Sequence, residues 1–182
     1  MPLNRNRRTL LTVAAVGTGV SLSGLGVGYW TRDPDPERHS IAATLTQLKD
    51  LVGQPIVSET AWSPGKVFSH CAQSVRYSME GFPSSKSSLF QNTLGAAAFG
   101  VFSHLGKMRH DLEEPIPGAS EISDDIGTDL GLAQLIGALE RFRGYRQELQ
   151  PHFAFGELNW EEFELAHVFH INNHFEKLKI DV

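Results

Sequence analysis

The stretch ELAHVFHINNHFEKL, Glu164 to Leu178, decides how the rest of the chain is read. On a helical wheel Phe163, His167, Ile171, His174 and Leu178 fall within about 100° of His170, while Glu161, Asn172, Glu176 and Lys179 gather opposite. That stripe predicts a core helix from Trp160 to about Lys179, started by a capping box of Asn159 with Glu162. His167, His170 and His174 sit in the middle of the stripe, not on a solvated face. Histidines so placed either form a neutral, hydrogen-bonded structural network or converge on a cation, which imidazole coordinates without carrying charge.

The chain before this stretch repeats the helical period and shows no strand-like alternation of any length. Asp35-Pro36 predicts an N-cap followed by proline at the first helical position, opening a helix to about Leu51 with Ile41, Leu45, Leu48 and Val52 along one side. Ser63-Pro64 repeats that signal and opens a second helix, Pro64 to about Glu80, with Phe68, Ala72, Val75 and Met79 on one side. A third, from about Leu89 to Met108, is apolar nearly all round and predicts contacts on more than one side. The two prolines of HDLEEPIPGASEISDD impose a long loop or a lid. Leu132, Leu135, Ile136, Leu139, Phe142 and Leu149 mark a further helix to about Gln150, after which PHFAFGEL is a loop. Amphipathic helices without strands make an all-α bundle.

His170 and His174, four residues apart, can present two nitrogens to one ion. The glutamate of a zinc-protease helix is absent, because Val168 and Ile171 stand where it would follow His167 or His170. A third ligand must come from elsewhere, and His70, His104, His110 and His152 are the candidates. His70 points about 160° from the apolar side of its helix and shares a face with Ser74 and Tyr77. His104 lies in the apolar third helix, and His110 and His152 lie in loops. Periodicity does not choose among them.

The long loop before AWSPGKVFSHCAQSV, and the late helix carrying H-x-x-x-H, resemble the DinB (YfiT-like) superfamily. FQNTLG, GKMRHDLEEPIPGA, HFAFGEL and HVFHINNHFEKL are similar to signature segments of one uncharacterised, domain-of-unknown-function branch of it, over about Arg38 to Leu178. The resemblance implies a four-helix bundle with an extra helix inserted between bundle helices two and three. It implies a divalent metal (Zn, Ni, Mn or Fe) on His70, His170 and His174, with His167 as a neighbour behind the ligands or facing a substrate. Asn173 departs from the branch, which often has another histidine there. The activity implied is a metal-dependent transferase, using a low-molecular-weight thiol, or a hydrolase of a small molecule. His167 or Tyr77 would then be the proton donor, MRHDLEEPIPG a lid, and a homodimer the frequent assembly.

The competing reading is a non-enzymatic bundle that sequesters metal or binds a protein partner, its histidines structural or merely ligating. No carboxylate accompanies the triad in sequence, and the EE and DD pairs read as surface charge. Arg109-His110 reads as solvated loop, though within reach of an anionic substrate. Cys71, the single cysteine, turns away from His70 into the core and excludes both an intrachain disulfide and a CxxC motif. Trp62 and Trp160 read as seals at the bundle ends.

The 182 residues, 41% hydrophobic and 20% charged, suit one globular domain at 38–182. Net charge is −5, and three of the 16 basic residues are Arg5, Arg7 and Arg8, which leaves 13 against 21 acidic ones in the remainder. A body that acidic excludes nucleic acid as the natural partner. NRNRRTLLTVAAVGTGVSLSGLGVGYW, within residues 1–30, has a basic start and an uncharged Gly-rich run. Arg7-Arg8 resembles a twin-arginine signal; a plain export signal or a membrane anchor is the alternative. TRDPDPE, residues 31–37, is a linker. The expected location is exported, periplasmic or anchored facing the periplasm, with membrane contact only through this segment.

Overall fold

A computed structural model describes Asp35 and residues 37–181. The expected export signal or anchor at 1–30 and most of the linker lie outside the described residues. Helix α1, Ile41–Asp50, is capped by Ser40, whose side chain accepts from Ala43 N. The start expected at Asp35-Pro36 is therefore displaced. Asp35 Oδ1 accepts from Arg38 N at 3.3 Å in a separate turn, and the helix begins where Ile41 N gains a tertiary acceptor, Glu164 Oε1 at 2.9 Å. It also stops before Val52, which is exposed and not on the core stripe as expected.

Helix α2, Pro64–Glu80, starts where predicted, with Ser63 accepting from Lys66 N and proline in the first turn. Ser88–Phe90 (α3), a π-helical segment Gln91–Gly95 and Ala96–Leu105 (α4) run on consecutively and end at Gly106, in the left-handed region at φ 64°. Only one side of this stretch is buried, at Gly95, Phe99 and Ser103, while Leu89, Leu94, Val101 and Leu105 are exposed. The contacts expected on more than one side are confined to one face, because this stretch lies outside the bundle, against the last helix and the loop at 152–156.

Helix α5, Thr128–Gly144, ends short of Gln150. Leu149 still reaches the core, but from the following loop, which Gln150 N ties to Ser78 O of α2 at 2.8 Å. Helix α6, Trp160–Phe175, carries both hydrogen bonds of the predicted capping box. It stops four residues before the expected end because Leu178–Ile180 (β2) pairs antiparallel with Ile56–Ser58 (β1). Two strands of three residues are too short to show alternation, so this small sheet is an addition to the purely helical expectation.

Helices α1, α2, α5 and α6 enclose one core that includes Leu45, Phe68, Val75, Leu135, Phe142, Phe163 and Ile171. The chain is an all-α helical bundle, and α3–α4 is the extra helical stretch between its second and third helices. Among the described residues no helix is long and apolar enough to cross a membrane. The closest approach joins α2 and α5, where the backbones of Gly65 and Gly131 meet. A Cβ on Gly131 would strike the Gly65 carbonyl, whereas one on Gly137, two turns on, would meet nothing within 4 Å. Thermal or urea unfolding should show Gly131→Ala less stable by about 1–3 kcal/mol. Gly137→Ala should be neutral or more stable by up to about 1 kcal/mol. Equal effects from the two would contradict this packing.

Candidate metal centre

His70 leaves α2 on the face opposite Phe68 and Val75, and meets His170 and His174 from α6. Nε2 of His170 lies 3.2 Å from Nε2 of His70 and 3.1 Å from Nε2 of His174. One nitrogen from each of the three lies within 4.8 Å of the others. Of the four candidates for a third ligand the structure selects His70. Cys71 is buried on the other side, as expected, its thiol pushed well above the usual range by burial.

Burial holds all three imidazoles neutral. It lowers His70 to about 4 and His174 to about 2, with nearby imidazoles adding to the effect, and puts His170 well below its ordinary value. A neutral ring nitrogen offers one hydrogen or one lone pair. His170 Nε2 can therefore fully satisfy only one of its two neighbours, and among the three facing nitrogens at least two are alike, donor with donor or lone pair with lone pair. A divalent cation accepts all three lone pairs at once, and nitrogens at about 2.0–2.1 Å from one tetrahedral ion would be about 3.3 Å apart. The donor set fits a metal on chemistry and on spacing.

Trp62, read as an end seal, instead walls this cluster. Its ring stands edge-on to His70 at 5.0 Å and stacks on His174 at 6.4 Å, with Lys66 Nζ 5.2 Å from the ring centroid. His110 comes in from the long loop, its ring centroid 4.9 Å from that of His170 and 5.1 Å from that of His174. Its Nδ1 donates to Asp111 O at 2.6 Å, which leaves the lone pair on Nε2. Asn173 holds this loop by accepting from His110 N at 3.1 Å.

His167 does not join the three. Ser78 Oγ spends its hydrogen on Val75 O at 2.8 Å, so it must accept the Nε2 hydrogen of His167 at 3.1 Å, and the free atom of that ring is Nδ1. His152 is buried in its loop, stacked on Phe155 at 4.3 Å, with Nδ1 accepting from Ala154 N and Phe155 N. His104 is exposed on α4. Tyr77 packs against Phe82, away from the cavity beside the histidines.

That cavity, roughly 300 Å³, has His70, His167 and His170 in its wall together with Ser74 and Phe155. The loop expected as a lid supplies Met108, Arg109, His110, Glu114 and Ile116. Glu114 is exposed, as the reading of the acidic pair as surface charge expects, and it is also the acidic residue in the cavity lining. Arg109-His110 is likewise part of the wall and not only solvated loop. No sequence period could place Trp62, His110 or Glu114 here, because each arrives on a loop. The one available signal was the density of ionisable residues around Arg109.

A family model described as "Protein of unknown function (DUF1569)" matches residues 31–180, and the chain belongs to that family. No curated protein and no solved structure matches it.

The buried histidines set the acid limit of the fold. His152 and His167 both lie at about 3 in the folded chain because of burial, against about 6.5 when unfolded. The unfolded chain thus binds more protons between those values, so stability is full above about pH 6.5 and falls as pH drops toward 3. Melting temperatures of metal-free protein should be level from pH 8 to 7 and decline steadily from pH 6 to 4. A level profile down to pH 4 would contradict this burial.

Proposed function

We propose that this DUF1569 member is a divalent-metal enzyme of the DinB type, transferring or hydrolysing a group on a small molecule at His70, His170 and His174. The observation that carries the reading is the convergence of three neutral imidazole nitrogens beside a cavity of roughly 300 Å³ whose wall includes His70 and His170, the lower end of small-molecule sites at about 300–1,000 Å³. A divalent ion held by three histidines supplies Lewis-acid polarisation and a nucleophile, water or thiolate, active near neutral pH.

The chain's own groups do the rest. Glu114, the one acidic residue lining the cavity, would be the group to take a proton from the nucleophile. His167 offers only Nδ1 to a bound molecule, because Ser78 holds its other nitrogen, so it acts first as an acceptor. Tyr77 is a weaker candidate for proton donor from its place beside Phe82. Phe102, Phe155 and Ile116 keep water from the far side of the cavity. Export by the twin-arginine route, to the periplasm or an anchored position, belongs to the same proposal and favours water over a thiol as nucleophile.

One observation favours the non-enzymatic reading. His110 stands beside His170 and His174 with its Nε2 lone pair free of the Asp111 contact, and as a fourth ligand it would close the centre to substrate.

The full chain, purified without a histidine tag and offered Zn, Ni, Mn and Fe in competition, should carry about one ion per chain. His70→Ala and His174→Ala should each reduce this to near zero, read by elemental analysis. Adding azide to the cobalt-loaded protein should shift its visible spectrum if a coordination position is open. An unchanged spectrum that becomes responsive in His110→Ala would establish the closed, non-enzymatic centre. Full metal content in both alanine variants would refute the site.

A further inference from the structure

We infer that the cavity selects small molecules carrying an acidic group, a carboxylate or a phosphate, with Lys86 and Arg109 receiving that group at the rim. This deepens the proposed function, resting on it for the statement that the reacting end of the molecule faces the histidines. The lining of the cavity differs in burial and charge. His70 and His167 are buried, whereas the cations Lys86 and Arg109 are exposed to solvent. Met108, Ile116 and Phe155 add apolar surface to the same lining. A molecule that matches this lining has a reactive group toward the buried histidines, an apolar body, and an anionic head near solvent.

Both cations are carried on backbone that the fold holds in place. Lys86 N donates to Phe153 O at 2.8 Å, fixing its chain to the loop that makes the opposite wall. Arg109 lies between Met108, which is buried, and His110, whose N donates to Asn173 Oδ1 at 3.1 Å. Neither cation forms an ion pair among the described residues, whereas five ion pairs form elsewhere on the surface. Glu114 is the single acid in the lining, so the cavity carries two basic groups against one, on a chain of net charge −5. The long-range field therefore repels anions and is screened within about 10 Å at ordinary salt; attraction must come from local hydrogen-bond donors. Arginine suits that task, presenting a planar fork to carboxylate or phosphate oxygens.

The test compares 3-phenylpropionate, its primary amide and 3-phenylpropylamine, which share an apolar body and differ in the head group. Dissociation constants would be measured by ligand-observed NMR on the full chain, metal-free and zinc-loaded. Wild-type protein should bind the carboxylate about tenfold more tightly than the amide, the scale of one or two charge-assisted hydrogen bonds, and the amine most weakly. In the double variant Lys86→Gln, Arg109→Gln the preference should vanish with the amide's affinity and the melting temperature unchanged. Equal binding of acid and amide by wild type, or no binding of either, would overturn the inference. So would a preference that survives the double variant, because the acid would then sit on the metal or the histidines. The metal-free measurement separates the two readings. A preference that depends on Lys86 and Arg109 in protein that never takes up zinc would sustain this inference and defeat the metal centre. Tight zinc binding without the preference would do the reverse.

Discussion

Three neutral imidazole nitrogens facing one another inside a protein cannot all be satisfied by hydrogen bonds, and the rest of this molecule is arranged around that constraint. His170 touches both His70 and His174 through the same atom. Burial removes the escape of protonation, since a charged ring there would lose its hydration and face its neighbours' repulsion. A divalent ion would resolve the conflict, and the fold supplies the means to keep the rings in place. The capping box fixes the start of α6, Ile41 N draws Glu164 against α1, and the Trp62 ring covers His70 and His174 together.

The irregular parts of the chain build the walls of the cavity beside this cluster. The π-helical turn Gln91–Gly95 presents the Gln91 amide to the carbonyls of His152 and Phe153, both at 3.2 Å. Gly95 lets Ala154 O approach so closely that a Cβ would collide with it. The loop at 152–156 is thus seated on α3–α4 and forms one side of the cavity, while Asn173 seats the 106–127 loop on the other. Loops held by backbone hydrogen bonds at both walls make a cavity whose shape precedes any ligand, which lowers the entropy lost on binding.

Much of this was legible before the structure. Ser63-Pro64 and the Asn159/Glu162 box predicted two helix starts to the residue, because each signal satisfies free backbone donors locally. Asp35-Pro36 carried a similar signal and failed, since a tertiary acceptor for Ile41 N outweighed it. Periodicity put His170 and His174 on the buried face; His70, one of four candidates, was singled out only by family resemblance, and the fold brings it to them. The ends of α5 and α6, the three-residue strands and the exposed face of α4 were not legible, since each depends on what lies across from it in space. The same holds for Trp62, His110 and Glu114, whose loops carry no period.

The most direct test of the central claim, that the three histidines form an open metal centre, is anomalous diffraction at the zinc edge from crystals of the zinc-loaded full chain. The account predicts a single peak bounded by Nε2 of His70, His170 and His174, with no fourth protein donor and a face turned to the cavity. A peak anywhere else, or one enclosed by four protein donors with His110 among them, would contradict it.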